Sequence, residues 1–409
     1  MTEKPLKFFN IAGPCVGSKH YMLPALPRLN GVNELIDRNL YFVIHAPRQS
    51  GKTTYLQALA DEINLGDKYY ALYCSLATLR TTKDEKKAMD KIVSLINFNL
   101  NRSTVGALQK RARAFDSKPR GAPDDIEVIL TLSDLCLGLD RELVVFFDEA
   151  DSLAELPLIS FLTQIRDGYI LRSSSKDSNF PISMALVGMR NIKDYASQTR
   201  PNSESLGTAS PFNIITKTLT LNNFTEEEMK SLYGQHSAAT GQAFAPDAID
   251  RAWRLTQGQP WLVNALAKEV IENILKNDYS KTIKRTLVER AAQDLILSGQ
   301  THFESLKARL KEPRVKSVME AVLVGKARFP SGVTQDDRQY CLDLGLLKKG
   351  KGENYSPANP IYQEVIIRLM SQNLHDSFTK LSDGFGKKWM SGKGLDLTGL
   401  LQAFQIYWR

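Results

Sequence analysis

The chain has 409 residues, room for about two or three domains. Hydrophobic residues make up 43% and charged residues 24%, which excludes a disordered polymer and implies a folded chain with a sizeable core. The net charge of +8 is modest for this length and permits, without requiring, contact with nucleic acid or an anionic surface.

No apolar run reaches the roughly 18 residues of a membrane-spanning helix. Met1–Phe9 carries lysines and lacks the apolar stretch of a signal peptide. Cys15, Cys74, Cys136 and Cys341 are far apart and form no CxxC pair, and the histidines show no metal spacing, so neither zinc nor a disulfide framework is expected. A reducing, cytoplasmic setting with no membrane contact is the expectation.

Residues 1–40 read as a segment that flanks a site. Gly13-Pro14, Pro24 and Pro27 mark turns, and Val32 to Leu40 reads as a short helix. His20 and Tyr21 are candidate contacts for the base of a nucleotide, and they fit surface or core packing equally well.

Tyr41 to Ile44 is a β-prone run. Ala46-Pro47-Arg48-Gln49-Ser50-Gly51-Lys52-Thr53-Thr54 follows, and Leu56, Leu59, Ala60 and Ile63 then share one helical face. Strand, loop and helix in that order suit a phosphate-binding loop, GxxxxGK[ST] with Ala46 in place of the first Gly. Backbone N–H groups and the helix N-terminus favour an anion there. Lys52 is expected to reach the β- and γ-phosphates of ATP or ADP, and the Thr53 hydroxyl to bind Mg2+. Ala46 costs little if its φ is negative.

Tyr69 to Ser75 reads as a second strand and 84–100 as a helix. Arg102, Lys110, Arg111, Arg113, Lys118 and Arg120 face Asp116 alone, a basic stretch that nucleic acid could use and that a solvated helix and loop explains as well. Leu143 to Phe147 is a uniformly apolar strand, and Asp148 and Glu149 follow at its C-terminal end, where ligands sit in an open parallel sheet. Asp148 is placed to hold Mg2+ and Glu149 to deprotonate an attacking water. A helix carrying Leu158, Phe161, Leu162, Ile165 and Tyr169 comes next, then a strand from Ile182 to Gly188. Arg190 and Asn191 after it are candidates to sense the γ-phosphate. Ile214 to Leu221 reads as a closing strand. The alternation over 41–221 predicts an α/β fold with a mostly parallel sheet.

From Phe224 the pattern becomes helical. Thr225 and Glu228 form a capping-box pattern, and Gly258-Gln259-Pro260 divides two helices. Residues 222–300 are expected to form a helical lid and 301–372 a winged helix, with helices at Val315–Val324 and Asp336–Leu347, a hairpin at Lys348–Tyr355 and a helix from Ile361. Lys348, Lys349 and Lys351 would suit a phosphate backbone, while Asp336, Asp337 and Asp343 weigh against a recognition helix. Residues 373–409 are expected to be a partly helical tail that either packs back or leads into another domain.

Together these motifs resemble an AAA+ ATPase of the group related to origin-recognition and STAND ATPases. The strings Asp148-Glu149-Ala150-Asp151, Gln164-Ile165-Arg166-Asp167-Gly168-Tyr169, Ser210-Pro211-Phe212-Asn213-Ile214, Gln257 to Asn264 and Asn359-Pro360-Ile361-Tyr362 are similar to the AAA-like family of prokaryotic ATP-binding proteins over almost the full length. The resemblance implies a P-loop core with lid and winged helix, Pro260 at the nucleotide and Arg190 as an arginine sensor. It also implies a homo-oligomer or partner protein, with Arg166 or Arg172 as the arginine completing a neighbour's site. Some similar proteins continue into a PD-(D/E)xK nuclease-like domain after a segment like Leu395–Arg409; none is expected within this sequence, and a truncated or split protein is the alternative. The expectation is a nucleotide-dependent switch that hydrolyses ATP slowly; the alternatives are a regulatory module that holds nucleotide without turnover and a DNA-binding initiator-like protein.

Overall fold

The computed structural model describes residues 7–114, 126–153, 155–174, 179–188, 214–298, 301–324, 329–352, 354–371, 390–391 and 394–395. Five strands, β1 (Tyr41–His45), β2 (Tyr69–Ser75), β3 (Glu142–Asp148), β4 (Ser183–Gly188) and β5 (Ile215–Thr220), form a sheet ordered β2-β3-β4-β1-β5. Every pairing in it is parallel, with Phe42 opposite Ala185 and Phe146 opposite both Tyr73 and Ala185. A parallel sheet needs cover on both faces, which explains the unbroken apolar runs in β1, β3 and β4.

Alternate residues feed two separate cores. Tyr41, Val43, Leu143, Val145, Phe147, Met184 and Leu186 pack against α3 (Glu85–Asn101), α4 (Gly106–Ala114), α5 (Glu127–Leu137) and α6 (Glu155–Ser174). Phe42, Ile44, Val144, Phe146, Ala185 and Val187 pack on the other face against α1 (Val32–Asp37) and α2 (Lys52–Leu65). Helix α5 lies within the stretch 102–137, where the sequence reading marked only the basic segment.

Beyond β5 the chain is helical: α7 (Glu226–Thr240), α8 (Pro246–Thr256), α9 (Pro260–Lys268), α10 (Arg285–Leu297), α11 (Thr301–Leu310), α12 (Pro313–Leu323) and α13 (Gln335–Asp343). Thr225 and Glu228 make the expected reciprocal cap on α7. The turn before α9 needs glycine: Gly258 sits at φ +71, and an added Cβ would lie 2.0 Å from the Phe224 carbonyl oxygen. Strands β6 (Leu347–Lys349) and β7 (Tyr355–Pro357) pair antiparallel, and residues 360–371 are helical. One core runs through all these helices and also takes in Phe9, Tyr21 and Leu23 from the start of the chain. The described part of the tail is a two-residue pair of strands, β8 (Met390–Ser391) and β9 (Gly394–Leu395); the helical tail expected at 373–409 otherwise lies outside the described residues.

Candidate functional site

A cavity of about 600 Å³ opens at the C-terminal edge of the sheet, bounded by the phosphate-loop segment, the acidic end of β3, residues 10–28 and the helical region. The loop leaves β1 at Ala46, which is fully buried, and its backbone is anchored by the Ala46 N–H donating to Gly188 O at 3.2 Å. Ala46 is absent from the left-handed residues, so the alanine meets the condition that made it tolerable. The loop turns instead at Gln49 (φ 57) and Gly51 (φ 92). Ser50 Oγ donates to Pro47 O at 2.8 Å, and Lys52 Nζ curls back to Ala46 O at 2.6 Å and Pro47 O at 2.8 Å. Burial pulls the Lys52 ammonium down from 10.5 to about 8 against the opposing pull of Asp148 and Asp151.

Asp148 is 1% exposed and gathers three donors. Thr53 Oγ1 donates to its Oδ2 at 2.7 Å, Tyr73 OH to the same oxygen at 2.9 Å, and the Glu149 N–H to Oδ1 at 2.9 Å. The bond from Thr53 brings the loop's hydroxyl and the β3 carboxylate to one point, although β1 and β3 are separated by β4. Glu149 is left-handed at φ 52, and its carboxylate accepts from Arg80 at 3.1 Å. Two hard oxygen donors side by side fit magnesium, which takes only one or two protein oxygens and completes its shell with phosphate and water. Among the described residues, no cluster of three or more His, Cys, Asp or Glu could hold a metal on its own.

Residues far from the motifs complete the walls. The Cys15 N–H donates to Thr54 Oγ1 at 3.0 Å, which places the N-terminal segment over the loop. Arg28 donates to Ser50 O at 3.0 Å and to Asn222 O at 2.7 Å, and its guanidinium lies 4.7 Å from the Phe224 ring centre. Three contacts join the loop to the C-terminal helices. Arg48 donates to Ser305 Oγ at 3.1 Å, the His302 Nδ1–H donates to Gln49 Oε1, and Gly345 (φ +70) packs so closely that a Cβ there would lie 2.5 Å from Pro47 Cγ. His302 also accepts from Tyr362 OH at 2.6 Å through Nε2 and stacks on Trp261 with ring centres 4.2 Å apart.

The other candidate residues are distributed as follows. Tyr21 and Pro260 line the cavity. The His20 ring instead accepts the Val16 N–H at 2.9 Å and lies edge-on to Phe8. Arg166 bonds Asp167 at 2.9 Å, and Arg172 clamps Pro181 O at 2.6 Å and Ile182 O at 2.5 Å while lying over Tyr41 and Tyr169. Arg190 and Asn191 lie outside the described residues, as do Phe115–Arg120. Arg111 binds Asp134, and Lys348 donates to Gln257 Oε1 at 3.1 Å; Lys349 and Lys351 are exposed. Sequence reading missed Arg28, Tyr73, Arg80 and His302. Tyr73 and Arg80 had a usable signal, since both lie near the C-terminal end of β2, the edge where such sheets bind ligands.

The sheet and this loop define a P-loop nucleotide-binding fold. Comparison with one solved structure agrees on the fold. The Walker-type ATPase of Pyrococcus abyssi matches with a TM-score of 0.59 at 15% identity, over 88% of this chain and 99% of that one. The ORC2 protein of Aeropyrum pernix matches at a TM-score of 0.45 and 16% identity, over 84% of this chain and 92% of its own. RuvB of Thermotoga maritima matches at 0.41 and 16%, over 81% and 90%. In sequence, an uncharacterised WD repeat-containing protein of Synechocystis sp. is 27% identical over 333 residues, 78% of this chain. The chain spans about a quarter (26%) of that relative's length. No family model matches. No helix among the described residues is long and apolar enough to cross a membrane.

Proposed function

We propose that this chain is an ATPase of the AAA+ type that uses ATP binding and hydrolysis to change the position of its helical region. The observation that carries the reading is the convergence of Thr53, Asp148 and Glu149 beside the phosphate loop. The loop amides and Lys52 bind the phosphates. Thr53 and Asp148 would hold magnesium, which when bound neutralises charge on the phosphate oxygens. Glu149, once free of Arg80, takes the proton of the attacking water. Arg190 is assigned to sensing the γ-phosphate. Arg166 is the better candidate to complete a neighbouring copy's site, because Arg172 is held by backbone carbonyls of its own chain. Residues 222–300 act as the lid and 301–372 as a winged helix that contacts protein; Lys348, Lys349, Lys351 and the stretch Arg102–Arg120 would face any nucleic acid. The site is cytoplasmic in this reading.

The second reading, a module that holds nucleotide with little turnover, is favoured by the Arg80–Glu149 ion pair, which ties up the base. Turnover measured for wild type and Glu149→Gln at several protein concentrations, with bound nucleotide identified after purification, separates the two. The enzyme reading expects slow turnover that rises with concentration and falls about 10²–10⁴-fold in the variant while ATP still binds. Absence of turnover at every concentration, with nucleotide bound in both forms, would leave the holding module.

A further inference from the structure

Five cationic side chains line the cavity against three carboxylates, a surplus that a polyphosphate would balance. Two of the five, Arg48 and Arg80, flank the place where a terminal phosphate belongs. Lys52 Nζ marks the β- and γ-phosphate position from one side, 2.8 Å from Pro47 O, and Arg48 is the next residue of the loop. Glu149, the base in the ATP reading, marks the other side, and Arg80 reaches it at 3.1 Å from the turn after β2. Both arginines are exposed and line the cavity, so an incoming anion can reach them. Partial burial, and then the nearby cations Arg80 and Arg309, hold the Arg48 guanidinium below the ordinary arginine range, while Glu149 and Asp151 pull the other way. The present contacts of both arginines are exchangeable. Arg48 donates to a neutral hydroxyl, Ser305 Oγ, and the Arg80–Glu149 pair leaves 53% and 43% of its two side chains open to solvent. Exposed ion pairs are weak, and a hydrogen bond to phosphate is about twice as strong as one to a neutral acceptor.

We propose that Arg48 and Arg80 form a terminal-phosphate subsite, supplied by this chain itself, that selects a nucleoside triphosphate over a diphosphate. This rests on the ATP reading above. Arg48 exchanges the Ser305 hydroxyl, and Arg80 the Glu149 carboxylate, for oxygens of the third phosphate. A diphosphate is held by the loop amides and Lys52 and stops short of both. Arrival of the third phosphate therefore frees Glu149 in the same event, so the base is released only with a triphosphate in place. It also loosens one of the three ties between the loop and the C-terminal helices. Each guanidinium–phosphate contact is expected to contribute about tenfold to a hundredfold in affinity.

The test is displacement of a fluorescent ADP analogue from the full chain, with magnesium present, by ADP and by the β,γ-imido analogue of ATP. It is run for wild type, Arg48→Gln and Arg80→Gln at several protein concentrations, and melting curves report folding. In the wild type the triphosphate analogue is expected to bind at least about tenfold more tightly than ADP, whatever the protein concentration. Each variant should weaken the triphosphate analogue by about tenfold or more and leave ADP within about threefold. Equal binding of the two nucleotides by the wild type overturns the proposal whether or not the variants fold. So does a preference that survives in either folded variant, since another group then reads the third phosphate. Parallel weakening of both nucleotides overturns it too, because the arginines would then only shape the loop. A preference that emerges only as protein concentration rises places the subsite on a neighbouring copy and overturns it as well. A wild type that binds neither nucleotide removes the ATP reading itself, and the inference with it.

Discussion

Replacing His302 by Phe keeps a ring against Trp261 but deletes both hydrogen bonds, leaving Tyr362 OH and Gln49 Oε1 without their partner. At neutral pH that should cost about 2–4 kcal/mol, two modest bonds plus the desolvation of a buried hydroxyl. The sharper consequence is in pH dependence. Burial holds the wild-type imidazole down to about 4, against an ordinary 6.5. Below pH 6.5 the unfolded chain takes up a proton, while the folded chain stays neutral until about pH 4. His302 therefore contributes its full stability above pH 6.5 and loses it as pH falls to 4, at about 1.4 kcal/mol per pH unit and roughly 3 kcal/mol in all. Urea unfolding followed by tryptophan fluorescence at pH 7 and pH 5 measures this. The wild type should lose about 2 kcal/mol more than His302→Phe between those two conditions. The lowered values of His20 and His236 act in both proteins and cancel in the difference. An equal loss in the two proteins would refute the buried neutral His302 and the bridge from Tyr362 to Gln49.

Tyr73→Phe removes one of the three donors to Asp148; denaturation should show a loss of about 1.5–3 kcal/mol, and the magnesium concentration for half-maximal turnover should rise. Gly345→Ala puts a methyl into Pro47 at a left-handed residue, so it should weaken both stability, by more than about 1 kcal/mol, and nucleotide affinity, read by calorimetry. Lys52 lies near 8 before phosphates reach it, and their charge should raise it again. Binding of ATP should then take up a proton between pH 8 and 10.5, with affinity falling as pH rises through that window; heats measured in two buffers of different ionisation enthalpy check this.

The parts legible from sequence are those whose chemistry is contiguous. The run Leu143–Phe147 could only be a strand covered on both faces, and the glycine-lysine-threonine step at the start of α2 carries its own strand and helix signals. Both were read close to their observed bounds. Asp148 and Thr53 are brought together by strand order, which depends on β1 pairing with β4, Tyr41 opposite Met184, and on β4 pairing with β3, and local pattern does not encode those. Helix α5 has an apolar composition with no clean face, because it is buried against α3 and α6, so its period is hard to see. His302 is 253 residues from Gln49 and sits in an ordinary helical stretch; only packing reveals the contact.

Phe9, Tyr21 and Leu23 belong to the same core as α7–α13, although the whole α/β sheet intervenes in the sequence. The polypeptide therefore passes between the two bodies twice, once after Leu23 and once between Leu221 and Phe224, and Arg28 bonds across from one passage to the other. A body joined by a single tether can swivel about any axis, whereas two tethers riveted side by side leave bending about one line as the cheap motion. Opening should thus resemble a clamshell, with Tyr21 and α9, which share one core, carried away together.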